Sequence, residues 1–160
     1  MRRISAFNVG WLLCMVGGLI PFTVGSVNYF FFMRSLEDPH DYWQTPFGPL
    51  YFSLQEVRRF RVDLGATWTM LNQVAWANVV MTGITMMVAS WIGIRNRERW
   101  GWFMVLLAIA WVGANDLTAT MRVGRELGDT VALPVAPMCF ALPGLALTAR
   151  EVFSSRSKTK

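Results

Sequence analysis

Two long stretches of this chain contain no charged residue, and they constrain its fold more than any other feature. One runs from Ile4 to Met33 and the other from Leu64 to Ile94. About 20 apolar residues in a helix cross the hydrocarbon core of a bilayer. Unpaired backbone groups are too costly in lipid for any open alternative. Two further runs fit the same rule, from about Trp100 to Met121, interrupted only by Asp116, and from about Thr130 to Ala149. The sequence predicts an all-α fold, a four-helix transmembrane bundle with spans at about 8–33, 64–94, 100–121 and 130–149. Residues 1–153 form one integral membrane domain, and 154–160 a disordered basic cytoplasmic tail. The first run follows Arg2 and Arg3 as a signal peptide would. It is longer than an h-region and lacks a small-x-small cleavage site, so it reads as a retained span.

Composition agrees. Charged residues are 16% and hydrophobic residues 54% of the chain, against about 25% charged in a soluble domain. This excludes a disordered chain, a secreted disulfide scaffold and an ordinary cytosolic enzyme. The formal net charge of +5 sits beside the spans rather than in one patch. It therefore marks topology and gives no reason to expect a nucleic-acid partner.

Orientation follows from the arginines and lysines. With the N-terminus inside, the inner side holds Arg2, Arg3, Arg95, Arg97, Arg99, Arg150, Arg156, Lys158 and Lys160. The outer side holds Arg34, Arg58, Arg59, Arg61, Arg122 and Arg125. The excess favours both termini in the cytoplasm (N-in, C-in) and a multi-pass protein of the cell membrane. Residues 95–99 read as a tight basic turn, with Trp100 and Trp102 at headgroup level. Segment 34–63 is the one long outer loop. Pro39, Pro46 and Pro49 make its first half irregular. Leu50, Leu54, Val57, Phe60 and Leu64 recur at helical spacing, which fits a short interfacial helix; a solvated loop anchored by Tyr42, Trp43 and Phe47 fits as well.

Small residues line the first span: Gly10, Cys14 and Gly18 at spacing four, and Gly17, Pro21 and Gly25 likewise. Such rows let helices approach closely. They serve either packing within the bundle or a seam to a membrane protein partner or second copy through Gly10, Gly17, Gly18 and Gly25. In the fourth span Pro134 fits a first helical turn. Pro143 removes one helical bond and predicts a kink.

Polar groups at membrane depth are the candidate functional residues. Asp116 lies about 8 Å below the outer end of the third span, at about 1.5 Å per residue. An ionisable group there is a functional candidate by default. Asn28, Asn72 and Gln73 fall at similar height, with Thr69, Asn115 and Thr120 nearby. Asn28, Asn72, Gln73 and Asp116 form a candidate site for a lipid-like or quinone-like head. Interhelical hydrogen bonding by the same residues is the plainer alternative.

Catalytic and metal chemistry lack their residues. His40 is the sole histidine, which excludes bis-His haem and a multi-His zinc site. Glu37, Asp38 and Asp41 beside it suit a solvated acidic loop. Cys14 and Cys139 lie on different spans and form no redox pair. No cofactor is expected, and the reading is non-enzymatic.

The turn Gly93-Ile94-Arg95-Asn96-Arg97-Glu98-Arg99-Trp100-Gly101-Trp102, followed later by an Asp, resembles small bacterial four-helix membrane proteins of the DoxX-like and related uncharacterised families. The likeness covers about residues 80–120. It implies a bacterial inner-membrane setting and adds no chemistry.

Overall fold

A computed structural model describes residues 5–35, 44–45, 48–49, 62–118 and 132–154. It is helical throughout apart from one two-residue ladder. Helix α1 spans Ala6–Ser35. Strands β1 (Gln44–Thr45) and β2 (Gly48–Pro49) pair antiparallel, Gln44 with Pro49 and Thr45 with Gly48. Helix α2 spans Val62–Val88 and continues as a π-helical turn over Ala89–Ile94. Helix α3 spans Arg99–Val112 and continues as a second π-helical turn over Gly113–Leu117. Helix α4 spans Ala132–Ser154.

Among the described residues, three helical stretches are long and apolar enough to cross a membrane: Ala6–Phe30, Gln73–Ile94 and Pro134–Ser154. The expected span at 100–121 differs. Its α-helical part has 14 residues, about 21 Å long, and is too short alone for a hydrocarbon core of about 30 Å. The π turn that follows contains Asn115 and Asp116. Helix α4 passes without interruption through Pro137 and Pro143, and Pro134 lies in its first turn. It also outruns the expected end at 149, because Val152 is buried in the core at 1% exposure. The possible interfacial helix, the acidic group around His40, the turn at 124–129 and the basic tail beyond Ser154 fall outside the described residues.

Helix α1 packs on both α2 and α4, and α3 packs on α4 and on the end of α2. The glycines decide this arrangement. A Cβ on Gly10 would meet Gly144 O at 2.9 Å, and one on Gly17 would meet Ala141 Cβ and Pro137 O at 3.0 Å. Cys14 lies between them, its thiol donating to Ala141 O at 3.7 Å. A Cβ on Gly18 would meet Met86 Cβ at 2.8 Å, and one on Gly25 would meet Val80 Cγ2 at 2.9 Å. Thus Gly10, Cys14 and Gly17 accept α4, while Gly18 and Gly25 accept α2. All four glycines of the expected small-residue seam are buried by the chain's own helices. Gly93 of α2 and Gly101 of α3 repeat the device, each lying where the other's Cβ would stand.

The core gathers toward one end of this bundle. Phe7, Cys14, Met86, Ala89, Ile94, Val105, Ile109, Ala141, Leu145 and Val152 form one cluster. Its two buried polar residues satisfy themselves locally. Ser90 Oγ donates to Met86 O at 2.7 Å, and Thr148 Oγ1 to Gly144 O at 2.9 Å, as hydroxyls inside helices commonly do. Within an apolar 18-residue stretch of each candidate span, 33% of the residues are buried in the chain. The remaining surface carries large apolar side chains such as Leu19, Phe30, Met81, Leu107 and Trp111.

Candidate functional site

Of the four residues singled out from the sequence, the side chains of Asn28 and Gln73 are described. Asn28 is half-buried on α1, and its Nδ2 donates to Val24 O of the same helix at 2.8 Å. Asn115 likewise donates to Trp111 O, at 3.2 Å. Gln73 is half-buried on α2. The backbone of Asn72 belongs to α2 and that of Asp116 to the second π turn. Their side chains lie outside the described part of the structure. Both amides, Asn28 and Asn115, thus turn one donor back onto their own helix.

The same level of the bundle holds a group that sequence inspection passed over. Trp76 is 3% exposed. Among the described residues its indole Nε1 is the one buried side-chain polar atom without a hydrogen-bond partner. The register set by Gly25 against Val79 and Val80 brings Asn28 and Tyr29 to its height one turn further on. A buried donor without an acceptor costs about 1–3 kcal/mol. No sequence signal marks such a donor, because a tryptophan in a span usually places its N–H at the interface.

At the opposite end, arginines and aromatic rings interlock. The π turn closes with Arg95 N donating to Ser90 O at 3.0 Å. Arg97 N then donates to Ile94 O at 2.8 Å and Glu98 N to Gly93 O at 2.9 Å. This is the paired bonding of a Schellman ending, with Arg97 in the left-handed position at φ 60°. The position usually takes glycine. Here the arginine reaches Glu151 on α4, Nη2 to Oε2 at 3.0 Å, and its guanidinium lies 5.0 Å from the Phe7 ring on α1. One residue therefore brings the start of α1, the α2–α3 turn and the end of α4 together.

Arg99 donates to Phe153 O at 3.3 Å. Trp102 is half-buried against α4, and its Nε1 donates to Leu145 O at 3.0 Å. Trp100 is exposed. Arg95 lies over the Trp91 ring at 4.2 Å and within 5.6 Å of the Trp11 ring. The two indoles meet edge to face at 5.6 Å. The four-residue step from Trp91 to Arg95 on one helix was visible in the sequence. The contribution of Trp11, from another helix, was not.

Among the described residues no group of three His, Cys, Asp or Glu side chains is placed to hold a metal ion. Comparison with protein-family models, with curated proteins and with solved structures finds no match for this chain.

Proposed function

We propose that this chain is a non-enzymatic, multi-pass protein of a bacterial inner membrane, with both termini cytoplasmic, serving as an accessory or scaffold subunit of a membrane complex. The observation that carries the reading is the way α1 is spent. Both of its small-residue faces meet neighbouring backbone, at Gly10 with Gly144 and at Gly18 with Gly83. That packing suits a rigid bundle presenting its outer apolar surface to lipid and to another membrane protein. It leaves no opening between α1 and its neighbours at those levels.

Helix α3 with its π turn, from Arg99 to Leu117, reaches roughly 28 Å at about 1.5 Å per residue, which supports counting it as a fourth span. The arginines gathered at the end shared by Phe7 and Phe153 support a cytoplasmic assignment of that end. The resemblance of residues 93–102 to DoxX-like proteins supports the bacterial setting.

Native mass spectrometry after gentle extraction from the source membrane tests the proposal. A stoichiometric protein partner, unaffected by Asp116→Asn, is the expected result. A monomer or homo-oligomer without any protein partner would refute the subunit role.

A second reading is binding or transport of a lipid-like or quinone-like molecule in the half of the bundle holding Asn28, Asn72, Gln73 and Asp116. The unpaired Trp76 N–H favours it, since a ligand oxygen would satisfy that donor. On this reading a defined small molecule co-purifies and is lost in both Trp76→Phe and Asp116→Asn.

A further inference from the structure

The three arginines of the α2–α3 turn are treated differently by the bundle. Arg97 is paired with Glu151 and Arg99 with the Phe153 carbonyl. Arg95 is exposed and, among the described residues, makes neither an ion pair nor a hydrogen bond through its side chain. Its contacts are the faces of Trp91 and Trp11. Stacking on indole holds a guanidinium in place. The N–H donors remain around the rim of the group, in the fork that matches two phosphate oxygens.

Depth fits the same ligand. Arg95 follows the last residue of the Gln73–Ile94 span, and Trp91 lies three residues inside it. Trp11 lies five residues into the Ala6–Phe30 span, about 8 Å along the helix. Trp91 lies close enough to its span's end for the headgroup boundary, and the deeper Trp11 meets it edge to face. Leu12, Val88 and Ile92 beside the pair are exposed and offer apolar surface to acyl chains. A zwitterionic choline would meet Arg95, Arg97 and Arg99, and the ring faces it would favour already carry Arg95.

We infer that Arg95, braced by Trp11 and Trp91, is a binding site for the phosphate of an anionic phospholipid in the adjoining leaflet. The inference rests on the chain being embedded in a bilayer, and is independent of any subunit role. The site ties the end of α2 and the start of α1 to one headgroup.

The test uses the purified full chain in detergent and native mass spectrometry, titrating phosphatidylglycerol and phosphatidylcholine of identical acyl chains. Wild type is expected to bind its first phosphatidylglycerol about fivefold more tightly than phosphatidylcholine, the effect of roughly one interfacial arginine. Arg95→Gln is expected to bring the two lipids within about twofold, while Arg150→Gln, an exposed arginine at the same end, keeps the preference. Arg95→Lys keeps the charge but not the fork, and is expected to reduce the preference; it serves also if the glutamine variant does not purify. Equal binding of the two lipids by wild type overturns the inference. So does a full preference in Arg95→Gln or Arg95→Lys, or displacement of phosphatidylglycerol by millimolar inorganic phosphate. Release of the native chain from membranes by alkaline carbonate would instead overturn the membrane reading, and is scored separately.

Discussion

Gly83→Ala should destabilise the bundle, whereas Gly17→Ala should be close to neutral. The two substitutions add the same methyl group to spans that both pack against a neighbour. A Cβ on Gly83 would collide with the Phe22 backbone nitrogen, and would meet Gly18 O at 2.7 Å and Phe22 Cα at 2.8 Å. Carbon atoms rest at about 3.5–4.0 Å, so α1 and α2 must separate by about 1 Å. None of the three atoms is the end of a flexible side chain. A gap of that size loses about a quarter to a half of each dispersion contact along the seam. Overpacking of this kind costs about 1–3 kcal/mol. Helix propensity returns about 1 kcal/mol for Gly to Ala. Because the seam also includes Gly18 and Gly25, the upper part of the overpacking range applies, and the net cost is about 1–2 kcal/mol.

At Gly17 the nearest atoms stand at 3.0 Å, 3.0 Å and 3.3 Å. A shift of a few tenths of an ångström relieves them, and the propensity gain offsets the rest. Equilibrium unfolding in mixed micelles, or steric trapping in bicelles, measures both variants against wild type. If Gly83→Ala proves as stable as wild type, or if the two variants cannot be told apart, backbone contact between α1 and α2 is not what limits their approach.

Trp102→Phe keeps a ring near Phe153 but removes the hydrogen bond to Leu145 O, so a loss of about 0.5–1.5 kcal/mol is expected in the same unfolding assay; no loss would mean that the bond is replaced by water. Glu151→Gln breaks an ion pair whose partners are 53% and 40% exposed, and should cost less than about 1 kcal/mol, with the difference from wild type shrinking as salt is raised. Trp76→Phe in ligand-free detergent should leave stability unchanged or raise it, because it removes a buried donor that has no acceptor; a thermal-shift loss as large as a core truncation would show that the N–H is satisfied. A cysteine at Asn96, introduced into a Cys14→Ala/Cys139→Ala background, should be protected from an impermeant maleimide in intact cells and labelled after lysis, whereas labelling in intact cells would invert the assigned orientation.

The helices were legible because a charge-free run has few alternatives in lipid. Their partners were not, and α1 shows why. Successive residues turn by about 100° around a helix. A row at strict spacing four therefore drifts, and Gly10 and Gly18 end up about 80° apart. Gly10, Cys14 and Gly17, at steps of four and three, stay on one face. The sequence row joined Gly18 to the wrong face, and only packing against α4 and α2 separated them. The interruption of α3 was missed for a different reason. Asp116 drew attention as a charge in a span, while nothing in the apolar pattern of Gly113–Leu117 marks a change from α to π bonding. Counting residues gave the candidate site a height in the bundle and no constellation. Height follows from counting residues, but the direction of an amide such as Asn28, which turns back to Val24 O of its own helix, does not. Trp76 was invisible by the same logic, since an orphaned donor is defined by what surrounds it.

The arrangement around α1 also sets a timetable for biogenesis. Its partner on one side, Ala141, follows Cys14 by 127 positions. Helix α1 is thus completed by α4, which is made after α2 and α3. Until α4 is made, the face of Gly10, Cys14 and Gly17 lacks the partner that fills it. A chain halted before α4 would expose a groove shaped for a helix, the surface on which a foreign span or a quality-control factor can settle. Consolidation of α1 therefore waits for α4, however early α1 itself is made.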